Sequence, residues 1–458
     1  MDLRWRQVFL CLGTLVGMLL IGCGGSAGSS PTPTLPSDPA TTYVLSANSI
    51  NPGSGVSITV TPADNSNAAN GSTGFTRTYN SGTTVTLTAP TTSGSNTFTS
   101  WTGCTTTSTV TCTIKMTANT TVTANYAPSN ETYKTLRSGG QHHNLLIGTA
   151  ADSGYLTETL YASTLSTEYS QLEAENEMKF GLIHPQQTTY AWTGPDALVA
   201  FAQANSMMVR GHNLVWSQQV PTWVTNPTTA WTPTTLNQVL SDHIATVVGH
   251  YKGQIYAWDV VNEPFNSDGT IASDLWYDTP GIGFAGQRTK YIEQSLKWAH
   301  AADSTAVLFV NDYGVETVNT KSNAMYAMAQ DFVNRGVPLG GVGLEFHIDP
   351  SFDTNANLTS LSENIQRFGA LGLQVHITEL DVRLPDDTTA SLTAQAQTYQ
   401  DILNVCLSQP ACTSFQTWGF TDEHSWIPSF VPGYGWALPF DLTYGKKAAY
   451  NSLLQSLQ

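Results

Sequence analysis

From about residue 131 to the C-terminus, short apolar runs alternate with longer stretches of helical periodicity, and the alternation repeats eight times. Strand-like runs fall at Leu145–Gly148, Gln171–Glu175, Met207–Gly211, Ile255–Asn262, Ala306–Asn311, Gly341–Glu345, Val375–Glu379 and Ser414–Gly419. Helix-like stretches separate them, among them Asp196–Gln203, Thr234–His250, Ala285–Ala302, Asn323–Asn334, Leu361–Leu371 and Leu392–Cys406. Runs that are apolar throughout suit strands buried on both faces, as in a parallel sheet covered by helices. Eight such units in about 330 residues predict an α/β fold of the (β/α)8 TIM-barrel class, with its functional site on the C-terminal rim of the strands.

Those rims are polar in a way a scaffold does not require. Trp258-Asp-Val-Val-Asn262-Glu263-Pro264 ends an apolar run in an amide, a carboxylate and a helix-breaking proline, and Val375-His-Ile-Thr-Glu379-Leu-Asp381 again delivers a glutamate to a strand end. Glu175, Asn176 and Lys179 follow the second strand, His212 and Trp216 the third, Asn311 and Asp312 the fifth, Glu345 and His347 the sixth, and Trp418 ends the eighth. One rim glutamate is ordinarily a solvated loop charge. Polar groups at nearly every rim point instead to a site built on paired carboxylates.

Only 11% of residues are charged and the formal net charge is −16, so nucleic acid and anionic membrane surfaces are excluded as partners, because phosphate binding needs clustered Lys and Arg. A neutral substrate fits better. Twelve Trp and eighteen Tyr are compatible with sugar-stacking platforms, although most aromatics fill cores.

At the N-terminus, Arg4 and Arg6 precede an apolar run from Val8 to Ile21, shorter than the ~20 residues of a spanning helix and typical of a secretory signal. Its end, Leu20-Ile21-Gly22-Cys23, resembles the lipobox of bacterial lipoproteins, which implies acylation of Cys23. The chain therefore divides into a lipoprotein signal (1–22), a Gly/Ser/Pro/Thr linker (23–42), a small β-rich module (43–127) and the barrel (131–458). Export to a bacterial outer membrane or cell surface follows as the expectation, with membrane contact only through the lipid.

The module shows period-two segments such as Val56–Val60, Thr83–Thr88 and Thr120–Ala124 between turn clusters, which predict antiparallel strands. Its order of Tyr79, Gly82, Trp101-Thr-Gly-Cys104, Cys112 and Tyr126 resembles bacterial β-rich repeat modules. Trp101 reads either as a core residue, the favoured reading, or as a carbohydrate platform. Setting aside Cys11 in the signal and Cys23, four cysteines remain; of three connectivities, local pairing as Cys104–Cys112 and Cys406–Cys412 is favoured, and export permits it. No CxxC or HExxH spacing is present, so neither zinc nor another cofactor is expected.

Five segments in order, Glu175-Asn-Glu-Met-Lys179, Arg210-Gly-His-Asn-Leu-Val-Trp216, Trp258-Asp-Val-Val-Asn-Glu263, His376-Ile-Thr-Glu-Leu-Asp381 and Thr417-Trp-Gly-Phe-Thr-Asp422, resemble the motifs of glycoside hydrolase family 10, the endo-β-1,4-xylanases. The resemblance spans residues 131–458. It implies a retaining glycosidase acting on xylan or xylo-oligosaccharides, with Glu263 as acid/base and Glu379 as nucleophile. It further implies that Asn262 bonds the sugar 2-hydroxyl at the cleavage point and that Glu175, Asn176 and Lys179 hold the next xylose. His212, Trp216, Gln219, Asn311, Glu345, Trp418 and Trp426 are implied as further substrate contacts. His347 is implied to hold Glu379 with Asp381 behind it, and Cys406 and Cys412 match a disulfide common in the family.

Two departures stand out. Where the family usually has Gln in a G-x-Q-x-H segment, this chain has Glu345 in Gly343-Leu-Glu345-Phe-His347, which places a third carboxyl near the pair and favours a protonated or proton-sharing Glu345. Ser217 follows Trp216 where the family commonly has His. A β-glucanase of related architecture, with room for a hydroxymethyl group near Glu175, Asn176 and Lys179, is the second reading. A surface polysaccharide-binding protein with a weakened site is the third. A monomer is expected in each case.

Overall fold

The computed structural model of the chain describes residues 41–94, 96–128 and 133–458. The expected signal peptide, Cys23 and nearly all of the linker lie outside these residues. The described residues fall into two compact units, one ending at Pro128 and one beginning at Tyr133.

In the first unit, two five-stranded sheets enclose a small core. Alternation does the work: in Thr84–Thr88 the side chains of Val85 and Leu87 are buried while the threonines between them are not, and Ile58, Val60, Ile114 and Val122 face the same interior. One pairing departs from the antiparallel expectation, because Thr42–Ile50 runs parallel to Thr120–Pro128. These are the first and last strands of the unit, and the whole of the intervening chain is available for the return that a parallel neighbour requires. Trp101 is only 7% exposed, and its indole N–H donates to the Val110 carbonyl at 2.8 Å. It belongs to the core and offers no platform to a sugar. Cys104 and Cys112 are disulfide-bonded.

In the second unit eight parallel strands close on themselves: β1 (Leu146–Ala151), β2 (Gln171–Ala174), β3 (Met208–Val215), β4 (Ala257–Asn262), β5 (Val307–Asp312), β6 (Gly341–Leu344), β7 (Gln374–Val382) and β8 (Cys412–Thr417). Each pairs with its sequence neighbour, and β8 returns to β1 through Leu146 opposite Ser414. This is the expected TIM barrel, and every expected strand is present. β3 and β7 run three to four residues beyond their expected ends because Leu214, Val215, Leu380 and Val382 are buried there. The helix expected from Ala285 begins only at Lys290, since Gly286 and Arg288 both hold positive φ and break the turn.

Helix starts and stops follow local chemistry. Thr232 caps Pro233–His250 in a capping box with Thr235, with proline at the first turn, and Asn319 caps Thr320–Asn334 in the same way with Ser322. Beyond Asn334, Gly336 at φ +66° lets the Val337 N–H return to the Phe332 carbonyl at 2.9 Å. The helix faces then bury residues such as Leu240, Ile244, Leu296, Phe332 and Phe368 against the strands, each contributing roughly 1.5–3 kcal/mol. Under the helix Pro233–His250, His243 lies flat on Phe180 with ring centroids 3.6 Å apart, and its Nδ1 meets His184 Nδ1 at 3.3 Å. Burial lowers the pKa of both histidines.

The barrel interior beneath the rim is ionic. Arg210 on β3 is fully buried, bonds both oxygens of Asp259 on β4, and donates to His376 Nδ1 at 2.7 Å. Gln416 on β8 donates to Glu173 Oε2 on β2 at 2.7 Å. Removing one member would leave a buried charge unpaired, a loss of about 3–5 kcal/mol.

Candidate active site

Two glutamates reach the C-terminal rim by different local devices. Glu263 directly follows β4 and holds φ +52°, a left-handed conformation that lifts its side chain out of the strand direction, and its N–H donates to the Asn311 carbonyl at 2.9 Å. Glu379 lies within β7, its N–H donating to the Glu345 carbonyl at 3.0 Å. Both line one cleft of about 790 Å³.

The Glu379 carboxylate is gripped from two sides. Asn311 Nδ2 donates to Oε1 at 2.8 Å and His347 Nε2 to Oε2 at 3.2 Å. Behind His347, Asp381 Oδ2 accepts from Nδ1 at 2.8 Å and from the Trp426 indole at 2.8 Å. Burial would make His347 a weaker base, but the Asp381 charge, its hydrogen bond and Glu379 together raise the imidazole to about 10. His347 is therefore a cation that donates from both nitrogens. His212, 4.0 Å from Glu379, is raised to about 9 against the effect of burial by hydrogen bonds to Asp259 and Glu173. Burial alone would raise the pKa of Glu379; the His347 hydrogen bond, with the charges of His212, His347 and Lys179, outweighs it and holds the group below the usual value.

Glu263 goes the other way. Burial raises its pKa, and the Glu379 charge adds to that; the nearby Trp216 indole opposes it, although its N–H stands outside hydrogen-bond geometry. Two carboxyls in one cleft thus have their proton affinities driven apart, Glu379 toward ionisation and Glu263 toward protonation, which is the arrangement acid catalysis on a glycosidic oxygen needs.

Glu345 is the third carboxyl. It is 2% exposed, and burial followed by the charges of Glu379, Glu263, Asp312 and Glu316 pushes its pKa well up. A count of hydrogens agrees. Asn311 Nδ2 carries two, and three acceptors face it: Asn262 Oδ1 at 2.9 Å, Glu345 Oε1 at 3.1 Å and Glu379 Oε1 at 2.8 Å. A proton on Glu345 supplies the missing hydrogen. The hub fits because Gly343, next to Asn311 in register, has no side chain; a Cβ there would run into Asn311 Oδ1. Thr378 closes it, its hydroxyl donating to Asn311 Oδ1 at 2.8 Å.

Toward one end of the cleft, Lys179 Nζ donates to Asn176 Oδ1 at 3.1 Å and stands 5.4 and 5.2 Å from the ring centroids of Trp216 and Trp418. Burial lowers its pKa against the pull of Glu379 and Glu175. Glu175 is raised to about 7, first by burial and then by the Asp152 charge.

Of the residues expected at the site, Glu175, Asn176, Lys179, His212, Trp216, Gln219, Asn262, Glu263, Glu345, His347, Glu379, Trp418 and Trp426 line the cleft together. Asn311 does not: it is fully buried, its amide spent on neighbouring side chains, so the expected substrate contact is corrected to a support beneath the floor. Asp381 is likewise buried and acts through His347. Gln218, Tyr313, Gly314, Glu316, Ile348 and Phe430 also line the cleft and were not anticipated. Tyr313 directly follows the rim pair Asn311-Asp312, so extending the rim by one residue finds it; Lys321 Nζ, paired with Asp312 at 2.7 Å, lies 3.5 Å from its ring centroid. Phe430 ends the one-turn helix Ile427–Phe430, which is too short to show a periodicity in the sequence.

A family model described as glycosyl hydrolase family 10 matches residues 136–456, and one described as divergent InlB B-repeat domain matches residues 65–130. Endo-1,4-beta-xylanase B of Thermotoga neapolitana is 38% identical over 328 residues, covering 70% of this chain and 91% of that protein. Endo-1,4-beta-xylanase A of Phanerodontia chrysosporium is 38% identical over 312 residues, 68% of this chain and 73% of its own length. Among solved structures, native xylanase 10B from Thermotoga maritima superposes with a TM-score of 0.66 at 40% identity, covering 70% of this chain and 98% of that one. Xylanase 10B from Thermotoga petrophila RKU-1 in complex with xylobiose gives 0.67 at 39% identity, with 72% and 98% covered.

Proposed function

The chain belongs to glycosyl hydrolase family 10, and we propose that it is an endo-1,4-β-xylanase that cleaves internal bonds of xylan with retention of configuration. The observation that carries this reading is the opposed tuning of Glu263 and Glu379 in one cleft. Ionised Glu379 attacks the anomeric carbon while protonated Glu263 passes its proton to the leaving oxygen. Esterification then removes the Glu379 charge, the proton affinity of Glu263 falls, and it takes a proton from the attacking water. Asn262, beside Glu263 at the cleft floor, bonds the sugar at the cleavage point. Glu175, Asn176 and Lys179 bind the neighbouring xylose, between the faces of Trp216 and Trp418.

The experiment is reducing-sugar release from soluble xylan and from carboxymethyl cellulose, by the chain lacking its signal, beside Glu379→Gln. Release from xylan that the variant loses by at least ~10³-fold supports the reading. Release only from the cellulose derivative means a glucanase, and no release from either means a binding protein.

For location, the lipobox-like Leu20–Cys23 supports export with a lipid on Cys23, held at an outer membrane or cell surface. Cys23→Ser should move the protein from the membrane to the soluble fraction; unchanged fractionation contradicts the anchor.

A further inference from the structure

We infer that a cavity beside the barrel, separate from the cleft, is a second saccharide site, and that it takes a uronic-acid residue, a pyranose ring bearing a carboxylate. The binding stands on the cavity alone, whereas the source of that residue, an acidic side branch of xylan, rests on the xylanase reading.

The cavity encloses about 510 Å³ between the segment after β4, the start of the helix Lys290–Ala302 and the helix Thr320–Asn334, and it shares no lining residue with the cleft. Its size falls within the ~300–1,000 Å³ usual for small-molecule sites. Phe265, Ile271, Ala324 and Met328 give it an apolar wall that suits the C–H face of a sugar ring. Arg288, Thr289 and Tyr277 give it polar groups, and the side chains of these three make no hydrogen bond among the described residues.

Arg288 decides the class of sugar. Arg77, Arg137, Arg210, Arg335, Arg367 and Arg383 all donate to protein acceptors, and Arg288 is the one arginine among the described residues whose guanidinium does not. It is exposed, and in a chain with 18 Lys and Arg against 34 Asp and Glu an unspent guanidinium is scarce. Its backbone holds φ +50°, where glycine or asparagine is the ordinary choice, so the turn itself does not call for arginine. Asp331, the one acid lining the cavity, is gripped by Arg335 at 2.7 and 3.0 Å and leaves Arg288 unanswered. A planar guanidinium with free N–H groups receives a carboxylate in bidentate fashion, and a single cation matches a single negative charge. The ring then lies on the apolar wall with hydroxyls toward Thr289 and Tyr277. Phe265 is two residues beyond Glu263, at most ~7 Å of backbone, so a branch held in the cavity keeps its polymer beside the cleft.

The test is affinity electrophoresis of the Glu379→Gln chain lacking its signal, which keeps the polymer intact, in gels containing glucuronoxylan or the same polymer with its carboxyls reduced to alcohols. The formal net charge of −16 repels an anionic polymer, so without a dedicated site the reduced form binds better. The cavity reverses this order: glucuronoxylan is expected to bind about 5-fold tighter, and Arg288→Gln in the same background is expected to erase the preference. Glucuronoxylan binding no tighter than its reduced form, or a preference that survives Arg288→Gln, overturns the proposal. Should Arg288→Gln misfold, salt decides with the cavity unaltered: raising NaCl from about 50 to about 500 mM must abolish the preference, and one that persists overturns it. Polygalacturonate is the second polymer. Binding to it that Arg288→Gln weakens, with no preference between the two xylans, overturns xylan as the source. Should the wild type release no sugar from xylan while the preference holds, the site stands and the xylanase reading falls instead.

Discussion

Replacing His347 by asparagine should move the acid limb of the pH–rate profile upward. In the folded protein the imidazolium donates to Glu379 Oε2 at 3.2 Å and contributes its charge as well. Burial pushes Glu379 toward protonation, and the His347 hydrogen bond is the largest influence opposing it. A hydrogen bond to a charged group contributes roughly 1.5–3 kcal/mol, and 1.36 kcal/mol corresponds to one pKa unit, so its loss should raise the Glu379 pKa by about 1–2 units. Because the proposed attack needs Glu379 ionised, the acid limb of kcat/KM should report this group in the free enzyme. The assay is kcat/KM for an aryl xylobioside across roughly pH 3 to 8, with thermal melts confirming that the variant is folded. A limb that stays within about 0.3 unit of wild type, or moves to lower pH, would refute the account of how Glu379 is kept ionised.

Three further outcomes are expected. Lys179→Met removes the cation between Trp216 and Trp418 and should raise KM for xylo-oligosaccharides about 10- to 100-fold, with a smaller change in kcat; an effect on kcat alone contradicts its place in substrate binding. His243 is held neutral in the fold, so its stabilising effect is full above its unfolded pKa near 6.5 and is lost as pH falls. Glu173, Glu175 and Asp312, raised to about 7 by burial first of all, carry the opposite slope over part of the same window. The measurement is therefore the difference from wild type: His243→Phe should gain relative stability below about pH 6.5, by up to ~1.4 kcal/mol per pH unit, in denaturant titrations, and a constant difference rules this out. Joint Cys406→Ala and Cys412→Ala replacement opens a disulfide spanning a sequence separation of 6 and should cost about 2 kcal/mol in the same titrations.

What was legible in the sequence was whatever a strand pattern carries. Largely apolar runs such as Trp258–Val261 and Val375–Ile377 suit strands buried on both faces of a helix-covered parallel sheet, and their repetition eight times gives the barrel and the rim residues at the strand ends. What was not legible depends on contacts across strands. Asn311 reads like any rim amide, and only the register that sets Gly343 beside it reveals a hub under the floor. Arg210, Asp259 and Glu173 sit within recognisable segments, yet a charge in a strand gives no sign of facing inward until its partners on neighbouring strands are placed. The helix Thr159–Glu168 shows almost no amphipathic period, and Leu136–His142 and Ala448–Ser456 span only about two turns each, so the sequence pattern marks them weakly.

The Asn311 hub has a consequence for how such a site can evolve. Glutamine and glutamic acid are one nucleotide apart, so the exchange at 345 is within easy reach of random mutation. It leaves the hydrogen inventory of the hub intact only while a proton stays on the new carboxyl. While that proton stays, the substitution is close to silent; once it is lost, the same codon strips a hydrogen from the centre of the site and adds a negative charge beside Glu379. The pH at which the protein works therefore bears on whether a glutamate can be kept at 345.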